Sequence, residues 1–372
     1  MIQKPRFGAT DEAHFFLCLK RRVNEYFKGN HCSKHATTAM FLKTLAMLSL
    51  YLLPYLLVLT GWLSMWGMLA CVCVMAIGKA GIGMAVMHDA NHGAYSDKKW
   101  LNALMGNAFY LLGGSPTIWK VQHNILHHTY TNVHEADEDI ETKFLLRLSP
   151  YATLKKVHRY QYIYAFALYC LMTFSMLFKD FVKVFRYREY GLIDKKKSAW
   201  IDLFREILVK GIYLFCMIAL PYMLLDISLW VVITGFVLMH FITGLILSVI
   251  FQLAHSITET EHFAVEGDTP LENTWAIHQL KTTANFAPNN WLLNWYVGGL
   301  NFQVEHHLFP HICHIHYPKI SQIVKQTALE FGLPYNEQPT FMSALRSHID
   351  MLKTLGTLKL KVQHTPLEVM EK

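Results

Sequence analysis

The stretch Leu45–Trp62, LAMLSLYLLPYLLVLTGW, carries no charged residue over eighteen positions and decides the class of fold. About 20 apolar residues in a helix cross the ~30 Å hydrocarbon layer of a membrane. The chain as a whole is unusually apolar. Of its 372 residues, 53% are hydrophobic and 16% are charged, against about 25% charged in soluble domains. The sequence predicts transmembrane helices at Phe41–Trp62, Leu63–Met87, Ile207–Leu225 and Ser228–Leu253.

The four predicted helices form two hairpins, because very short links join the first to the second and the third to the fourth. Basic residues favour the cytosolic side of a membrane. The segments Lys20–Arg22 and Lys195–Lys197 flank the hairpins, whereas the hairpin tips carry almost no charge. We therefore expect both termini in the cytosol, with Lys79 and Lys210 snorkelling towards the cytosolic ends of their helices.

A fifth apolar stretch, Tyr162–Phe178, has basic residues on both sides, which places both of its ends on the cytosolic side. Its tyrosines favour the membrane interface, so we expect a helix lying on the membrane. A shorter run, Leu104–Leu112, is a weaker candidate for a segment that dips into the membrane. The predicted fold is an all-α integral membrane protein with four transmembrane helices in two hairpins, interfacial helices and a cytosolic histidine-rich cap.

Several other classes of protein are disfavoured by the composition. The first thirty residues are polar and do not form the apolar core of a signal peptide. The seven cysteines are scattered and odd in number, which indicates reduced thiols rather than a disulfide framework or a thiolate metal site. The net charge of +7 comes from residues that flank apolar runs, so it indicates a membrane surface rather than nucleic acid as the partner.

The 21 histidines outnumber the 20 glycines, and many of them lie in three motifs. These are HDANH from His88, HNILHH from His123 and QVEHH from Gln303, each with histidines or glutamine at helical spacings that share one face. His255 lies at the predicted cytosolic end of the fourth helix. The candidate metal ligands are His88, His92, His123, His127, His128, His255, His306 and His307, with Gln303 as a further candidate.

One such motif alone could be a zinc half-site or chance, and a lone His255 could be an interfacial residue. Eight histidines and a glutamine are too many for one zinc ion and suit two ions of octahedral preference. Imidazole binds iron, copper and zinc, so the ligand type leaves the metal open. A metal pair at the end of an apolar bundle suits the oxidation of an apolar, lipid-like substrate, because breaking an unactivated C–H bond requires a redox metal.

Carboxylates near the motifs are candidates to accept hydrogen bonds from ligand imidazoles. Asp89 and Glu305 lie inside the motifs and are favoured for this role, whereas most of Glu135–Asp139 is expected to be a solvated loop. His311, His314 and His316 could support the third motif, and His134, His262 and His278 stay open. The remaining histidines are expected on the surface: His14, His31, His35, His158, His348 and His364.

The three motifs, with the surrounding GGLNFQVEHHLFPHICHIHYP, resemble the membrane fatty acid desaturases. The glutamine of the third motif is similar to that of the front-end branch, which includes the Δ6/Δ5 acyl desaturases and the Δ8 sphingolipid desaturases. The resemblance implies a non-haem di-iron centre held by the eight histidines named above. It also implies that O2 and two electrons are used to insert a cis double bond into an acyl chain carried by CoA, a carrier protein or a lipid. It covers residues 41–321, between a cytosolic N-terminal segment, 1–40, and a cytosolic C-terminal segment, 322–372.

Many eukaryotic front-end enzymes carry a fused cytochrome b5 domain with a His-Pro-Gly-Gly motif, and this sequence has no such motif. The resemblance therefore implies an external electron donor, cytochrome b5-like or ferredoxin-like, and residence in the endoplasmic reticulum or a bacterial inner membrane. Candidate walls of an acyl tunnel are the aromatic residues and the glycine pair Trp119, Trp291, Trp295, Tyr296, Gly298 and Gly299; ordinary anchoring at the interface is the alternative for the aromatics.

Three alternatives remain at this point. The same scaffold could produce a hydroxylated or acetylenic chain. A histidine-rich metal transporter would place polar or ionisable residues near the middle of the spans, whereas Ser228–Leu253 is almost purely apolar apart from His240 and Gln252. A structural protein with one stabilising zinc would leave more than half of the candidate ligands unexplained.

Overall fold

The computed structural model describes residues 5–8, 13–142, 144–193, 198–265 and 269–359, and these are mostly helical with almost no strand. Four helices are long and apolar enough to cross a membrane, as predicted: Thr38–Leu59, Met65–Asn91, Ala199–Leu224 and Leu229–His255. We call them spans 1 to 4. Span 2 continues past its predicted end to Asn91 and span 4 to His255, so each carries candidate metal ligands at its end.

The other elements lie between and around these spans. Spans 2 and 3 contain the π-helical turns Ile82–Met87 and Phe215–Ala219. Further helices are Ala13–Gly29, Lys99–Gly106, Asn107–Leu112, Pro116–Trp119, Lys120–His127, His128–Tyr130, Lys156–Tyr160, Gln161–Tyr169, Met172–Glu189, Trp275–Thr282, Trp291–Tyr296, Gln303–Leu308, His314–His316, Tyr317–Glu330 and Phe341–Thr357. Two short parallel strands, Asn285–Phe286 and Glu337–Gln338, pair behind the third histidine motif.

Spans 1 and 2 form the first hairpin because a glycine lets their backbones touch. A Cβ atom on Gly78 would lie 2.7 Å from backbone atoms of Leu50 and Tyr51. Any larger side chain at this position would separate the two helices. The turn between them contains Gly61 in the left-handed region, with φ of 72°, a conformation that glycine adopts without steric cost.

The structure corrects the single surface helix predicted at Tyr162–Phe178. Two helical segments, Lys156–Tyr169 and Met172–Glu189, meet at an angle of 82°. The break between them lies deep against span 4: the Ser248 hydroxyl donates to the Tyr169 carbonyl (3.3 Å), and the Thr173 hydroxyl donates to the His240 carbonyl (3.0 Å). His240 is fifteen residues from His255, about 22 Å along the helix.

Both ends of this bent pair return to the same loop, which follows the second histidine motif. The His158 ring lies 3.0 Å from the Phe144 carbonyl, and the Tyr187 hydroxyl donates to Glu138. The pair therefore enters the bundle and leaves on the same side, as the basic flanks indicated, but it dips between the spans instead of lying flat. Non-helical backbone at such depth is tolerated because the break is covered by protein.

Lys79 and Lys210 do not snorkel, which contradicts the expectation from sequence. The Lys79 ammonium donates to the Tyr213 hydroxyl at 2.6 Å and lies 3.2 Å from the His240 ring. Lys210 is paired with Asp180, with 2.9 Å between Nζ and Oδ2. Both lysines are buried, because partners from neighbouring helices satisfy their N–H groups inside the bundle.

The segments at the two ends of the chain pack onto the histidine-rich region. Phe15 and Leu19 of the helix Ala13–Gly29 share a hydrophobic cluster with Ile320 and Val324 of Tyr317–Glu330 and with Val304 in the third motif. The helix Phe341–Thr357 contributes Leu352 to a second cluster beneath the bent pair. These contacts form a cap over one end of the bundle.

Two histidines predicted on the surface, His158 and His348, are buried. The polar residues around them in sequence face solvent, but both rings bind backbone carbonyls of other segments. His348 Nδ1 donates to the Ser256 carbonyl (2.7 Å), and the Tyr169 hydroxyl lies 2.9 Å from its Nε2. His14 and His31 are exposed and His35 is half-buried, whereas His364 lies outside the described residues.

Replacing Lys210 with Met should be strongly destabilising, because the Asp180 carboxylate would keep a buried charge without its partner. Breaking such a pair costs about 3–5 kcal/mol. The free energy of unfolding in detergent measures the effect. As a control, Arg21→Met breaks the exposed pair of Arg21 and Glu25, which contributes about 0–1 kcal/mol. Equal, small losses in both variants would contradict a buried ion pair at Lys210.

The stability of the cap should fall in acid through His348. Burial lowers the pKa of His348 from 6.5 to about 4. Its contribution is therefore fully present above pH 6.5 and is lost as the pH falls through 4, by on the order of 3 kcal/mol. Unfolding measured between pH 7 and pH 4 should show a smaller acid-dependent loss in His348→Gln. An identical pH dependence in the variant and the wild type would contradict this role.

Candidate metal centre

Seven of the eight candidate ligands form two groups in which the ring nitrogens lie within 4.8 Å of one another. Group one consists of His88, His92, His123 and His306, and group two consists of His127, His255 and His307. The eighth, His128, lies between the groups. Its Nε2 is 3.2 Å from Nε2 of His123 and 3.0 Å from Nε2 of His306, and its ring stacks on His307 at 4.2 Å.

Irregular helical turns bring the first two motifs together. The π-helical turn Ile82–Met87 precedes His88, and the rings of His88 and His92 lie 4.8 Å apart. His123 and His127 lie in a second π-helical segment, Lys120–His127, with their rings 5.3 Å apart. π-helical turns are rare and frequent at functional sites, because the extra residue per turn redirects side chains. Here they direct His123 to group one and His127 to group two.

The third motif is divided between the two groups, although its residues were expected to lie together. His306 faces group one and its neighbour His307 faces group two. Gln303 also lies at group two, with its Nε2 atom 2.9 Å from Nε2 of His255. The short helix Gln303–Leu308 therefore spans the interval between the groups.

Protein groups hold the outer nitrogen of several of the ligand rings. His127 Nδ1 lies 3.0 Å from the Asp137 carboxylate, and His307 Nδ1 lies 2.7 Å from the side-chain oxygen of Gln279. Both partners are acceptors, so each Nδ1 carries the hydrogen and each Nε2 presents a lone pair inward. An outer hydrogen bond of this kind orients a metal-bound imidazole.

The inner nitrogens have the properties of metal-ligand atoms. Nε2 of His92, His127 and His307 is buried and has no hydrogen-bond partner among the described residues. Buried polar atoms are nearly always paired, so three such atoms in one region need a common explanation. Two metal ions bound by neutral imidazoles provide one, and the donor set fits iron, copper or zinc.

The electrostatics of the site keep most of these rings neutral. Burial, reinforced by neighbouring imidazoles, lowers the pKa of His92, His123, His128, His306 and His307. His127 is the exception: burial alone would lower its pKa, but the charges of Asp137 and Asp139 outweigh this and raise it. Neutral imidazole is the form that binds a metal, so five rings are already in the state that binding requires.

The loop Glu135–Asp139 is not mainly solvated, in contrast to the expectation. Asp137 is fully buried and accepts from His127, and Asp139 lies 3.5 Å from the same ring nitrogen. Burial raises the pKa of Asp139 to about 6. Glu138 is paired with Lys183 (2.9 Å). The loop folds back because these acids have buried partners that its polar sequence does not reveal; Glu135 alone is exposed.

In the described part of the chain, the hydrogen-bond partners of Asp89 and Glu305 are not among the eight candidate ligands. Asp89 accepts from Nδ1 of His314 (2.9 Å), whose Nε2 lies 2.8 Å from the Lys43 ammonium. Glu305 accepts from Asn285 (2.8 Å) and the Tyr335 hydroxyl, and burial raises its pKa to about 8. Both carboxylates therefore support the motifs indirectly, through these other groups, whereas we expected each to accept a hydrogen bond from a ligand imidazole.

Most of the residues proposed from sequence as walls of an acyl tunnel do not lie beside the two histidine groups. Trp291 is 75% exposed, as an interfacial anchor would be. A Cβ atom on Gly298 would lie 2.6 Å from the Ala85 backbone, and one on Gly299 would lie 2.7 Å from His314, so this pair admits protein rather than an acyl chain. Tyr296 donates to the Ile77 carbonyl (3.0 Å), and the indole of the partly exposed Trp295 lies 5.7 Å from the Lys43 ammonium.

The rings of Trp119 and Phe251 pack against candidate ligands. Trp119 stacks on His123 at 4.4 Å, and Phe251 lies 4.8 Å from the His255 ring and 5.0 Å from the His127 ring. Phe251 was not singled out from sequence, because nothing in an apolar span distinguishes a phenylalanine beside the site from one facing lipid. Its spacing of four residues from His255 is the one signal that could have found it.

The three histidines left open from sequence lie outside both groups. His134 pairs with Glu141 (2.8 Å), and His278 lies 2.8 Å from the Thr131 carbonyl. Burial lowers the pKa of His262 and of His278 to about 4. His316 lies 3.2 Å from the His35 carbonyl. These residues hold the cap together around the site.

Histidine groups that could hold metal ions, placed at the end of a bundle of apolar helices, are the arrangement expected of a membrane protein with a metal-binding site. A family model described as fatty acid desaturase matches residues 60–339. The chain belongs to the fatty acid desaturase family and is an oxidoreductase of lipid metabolism.

Named relatives extend over most of the chain. It is 36% identical over 342 residues to an sn-1 linoleoyl-lipid 6-desaturase of Arthrospira platensis, covering 91% of each chain. It is 34% identical to the enzyme of that name from Synechocystis sp., covering 96% of this chain and 99% of the relative. An acyl-lipid (8-3)-desaturase of Physcomitrium patens is 33% identical, and the match covers 96% of this chain and 74% of the relative.

Replacing Asp137 with Asn should weaken metal binding at group two. The Asp137 oxygen that accepts from the His127 ring also accepts from the backbone N–H of Asn132. The uncharged side-chain amide of an asparagine at position 137 would be a weaker acceptor for both donors. Losses of 10–100-fold in metal affinity are typical of such changes. Metal titration with a competing chelator measures the effect, with Glu135→Gln on the same loop as a control. Unchanged affinity in Asp137→Asn would contradict the role assigned to this carboxylate.

Proposed function

We propose that the protein is a front-end acyl-lipid desaturase whose reaction takes place between groups one and two. The observation that carries this conclusion is the pair of imidazole groups, linked by His128, at the end of an apolar bundle. The family is that of fatty acid desaturases, and the relatives named above are acyl-lipid 6- and (8-3)-desaturases. The proposed substrate is accordingly a lipid-linked long acyl chain.

We propose iron as the metal in both groups and O2 as the co-substrate. Group one would hold one ion through four imidazoles, and group two would hold the other through three, with Gln303 beside it. When bound, a pair of iron ions supplies the redox chemistry by which O2 removes hydrogen from unactivated methylenes. The chain itself supplies neutral, oriented imidazoles and a buried setting that excludes bulk water.

The acyl chain would reach the groups from the membrane side. Trp119 covers His123 of group one, and Phe251 covers His127 and His255 of group two. Apolar rings on this side of the imidazoles would position methylenes close to both groups. The bent helix pair packs against span 4 next to this part of the bundle.

We further propose that the site and both termini face the cytosol of a bacterial inner membrane or the cytosolic side of the endoplasmic reticulum. The basic flanks of the spans support this orientation. An external one-electron donor, cytochrome b5-like or ferredoxin-like, would supply the electrons. We retain 41–321 as the desaturase domain, and the helices Ala13–Gly29 and Phe341–Thr357, from the described parts of segments 1–40 and 322–372, contribute to its cap.

Hydroxylation on the same scaffold and metal transport are less well supported. The relatives are named as desaturases. A transporter would need metal ligands in the middle of the spans. The ligand groups found in the described residues lie at the ends of spans 2 and 4, and the polar residues deeper in the bundle, Lys79, Tyr213 and His240, bind one another.

Replacing His127 or His307 with Ala should abolish desaturation while leaving membrane insertion intact, because each supplies an inward lone pair to group two. Expression in a host with a simple lipid profile, followed by mass spectrometry of double-bond positions, measures the product. His14→Ala is the control, because His14 is exposed. Retained product in either variant would contradict the ligand assignment, and hydroxylated product from the wild type would contradict the reaction.

A further inference from the structure

Asn132 is a fully buried residue that lies four positions after the second histidine motif and is not part of any of the three motifs. Its backbone has φ of 57°, in the left-handed region. Asparagine adopts this conformation more readily than most residues other than glycine. The conformation turns the chain sharply, so that the backbone and the side chain of Asn132 face different parts of group two.

The side chain of Asn132 binds the end of span 4. Its Nδ2 donates to the carbonyl of His255 at 2.8 Å and to that of Glu261 at 3.1 Å, and lies 3.5 Å from the carbonyl of Thr282. The last carbonyls of a helix lack partners within the helix, so this amide completes the end of span 4. The carbonyl of Thr282 is also 3.3 Å from Nδ1 of His255 and so orients that ring.

The orientation of the amide follows from its surroundings. Three carbonyl oxygens surround one end of the Asn132 side chain, and only an NH2 group can serve them. A carboxylate of the same shape would face three acceptors and repel them. The position therefore requires two N–H donors on a side chain of this length.

The backbone of Asn132 binds the other half of group two. Its N–H donates to the Asp137 carboxylate at 2.9 Å, and the same oxygen accepts from Nδ1 of His127 at 3.0 Å. Its carbonyl accepts from the N–H of Phe263 at 3.0 Å. One residue is thus hydrogen-bonded to the supports of His127, on the second motif, and of His255, on span 4.

We propose that Asn132 is a positioning residue that sets the separation of His127 and His255 and thereby completes group two. The two ligands come from segments more than a hundred residues apart, and their rings lie 4.6 Å from each other. Asn132 contacts neither the metal nor the substrate; it acts through Asp137 and through the carbonyls at the end of span 4. The assignment rests on the proposed function, because it presupposes a metal ion in group two.

The test is the iron content of the purified full-length protein in which Asn132 is replaced by Gly. Glycine keeps the left-handed backbone without strain and removes only the side-chain amide. The expected result is a fall from two irons per chain towards one. Iron affinity should fall 10–100-fold at one of the two sites and stay unchanged at the other. The Mössbauer spectrum should lose one of its two iron signals.

Glu135→Gly is the matched control, because Glu135 lies on the same loop with φ of 64° and an exposed side chain. It should keep both irons. Should glycine loosen the loop as a whole, Asn132→Asp provides a second test: it keeps the size and the tolerance of a positive φ but has no N–H donor, and it should lose the same iron.

A double-mutant cycle separates positioning from general destabilisation. In a His255→Ala background, Asn132→Gly should remove little further iron, because the ligand it positions is already absent. In a His88→Ala background, which damages group one, Asn132→Gly should remove most of the remaining iron. An additive loss in the His255→Ala background would overturn the proposal.

The outcomes also distinguish this proposal from the proposed function. Wild-type protein with two irons, together with Asn132→Gly that retains both, would overturn the role of Asn132 and leave the desaturase intact. Wild-type protein without iron, or with zinc only, would overturn the proposed function and this assignment with it.

Discussion

The constraint on which the structure depends is that eight imidazoles must be buried together with their inner nitrogens unprotonated. Burial lowers the pKa of most of these rings, and acceptors such as Gln279 hold the outer N–H of the ring. His127, which Asp137 would otherwise favour in its charged form, is the exception. The partners that orient these rings, such as Asp137, Gln279 and Tyr317, come from distant parts of the chain, so the cap around the site has to be assembled from all of them.

The spans position the site and the cap completes it. Span 2 delivers His88 at its end and span 4 delivers His255, because both helices continue beyond their apolar stretches. Glycine contacts, such as that of Gly78 with span 1, fix how closely the helices approach. The cap then supplies the orienting groups, including Tyr317, whose hydroxyl lies 3.1 Å from Nδ1 of His306. The irregular π-helical turns occur where side chains must be redirected.

Sequence periodicity and motif spacing predicted the four spans and the histidines that converge, because both patterns are local. What they missed depends on contacts between distant segments. Lys79 and Lys210 looked like snorkelling residues because their partners, Tyr213 and Asp180, lie on other helices. Asp137 looked solvated because its partner is a ring ten residues away in a folded-back loop. The division of adjacent His306 and His307 between two groups also depends on the tertiary structure.

The central claim is that the protein holds two metal ions in two distinct imidazole groups. The most direct measurement is anomalous diffraction from crystals of the iron-loaded protein, recorded on both sides of the iron absorption edge. Two separate iron peaks are expected, one among His88, His92, His123 and His306 and the other among His127, His255 and His307. A single peak, or a zinc signal in place of iron, would contradict the claim.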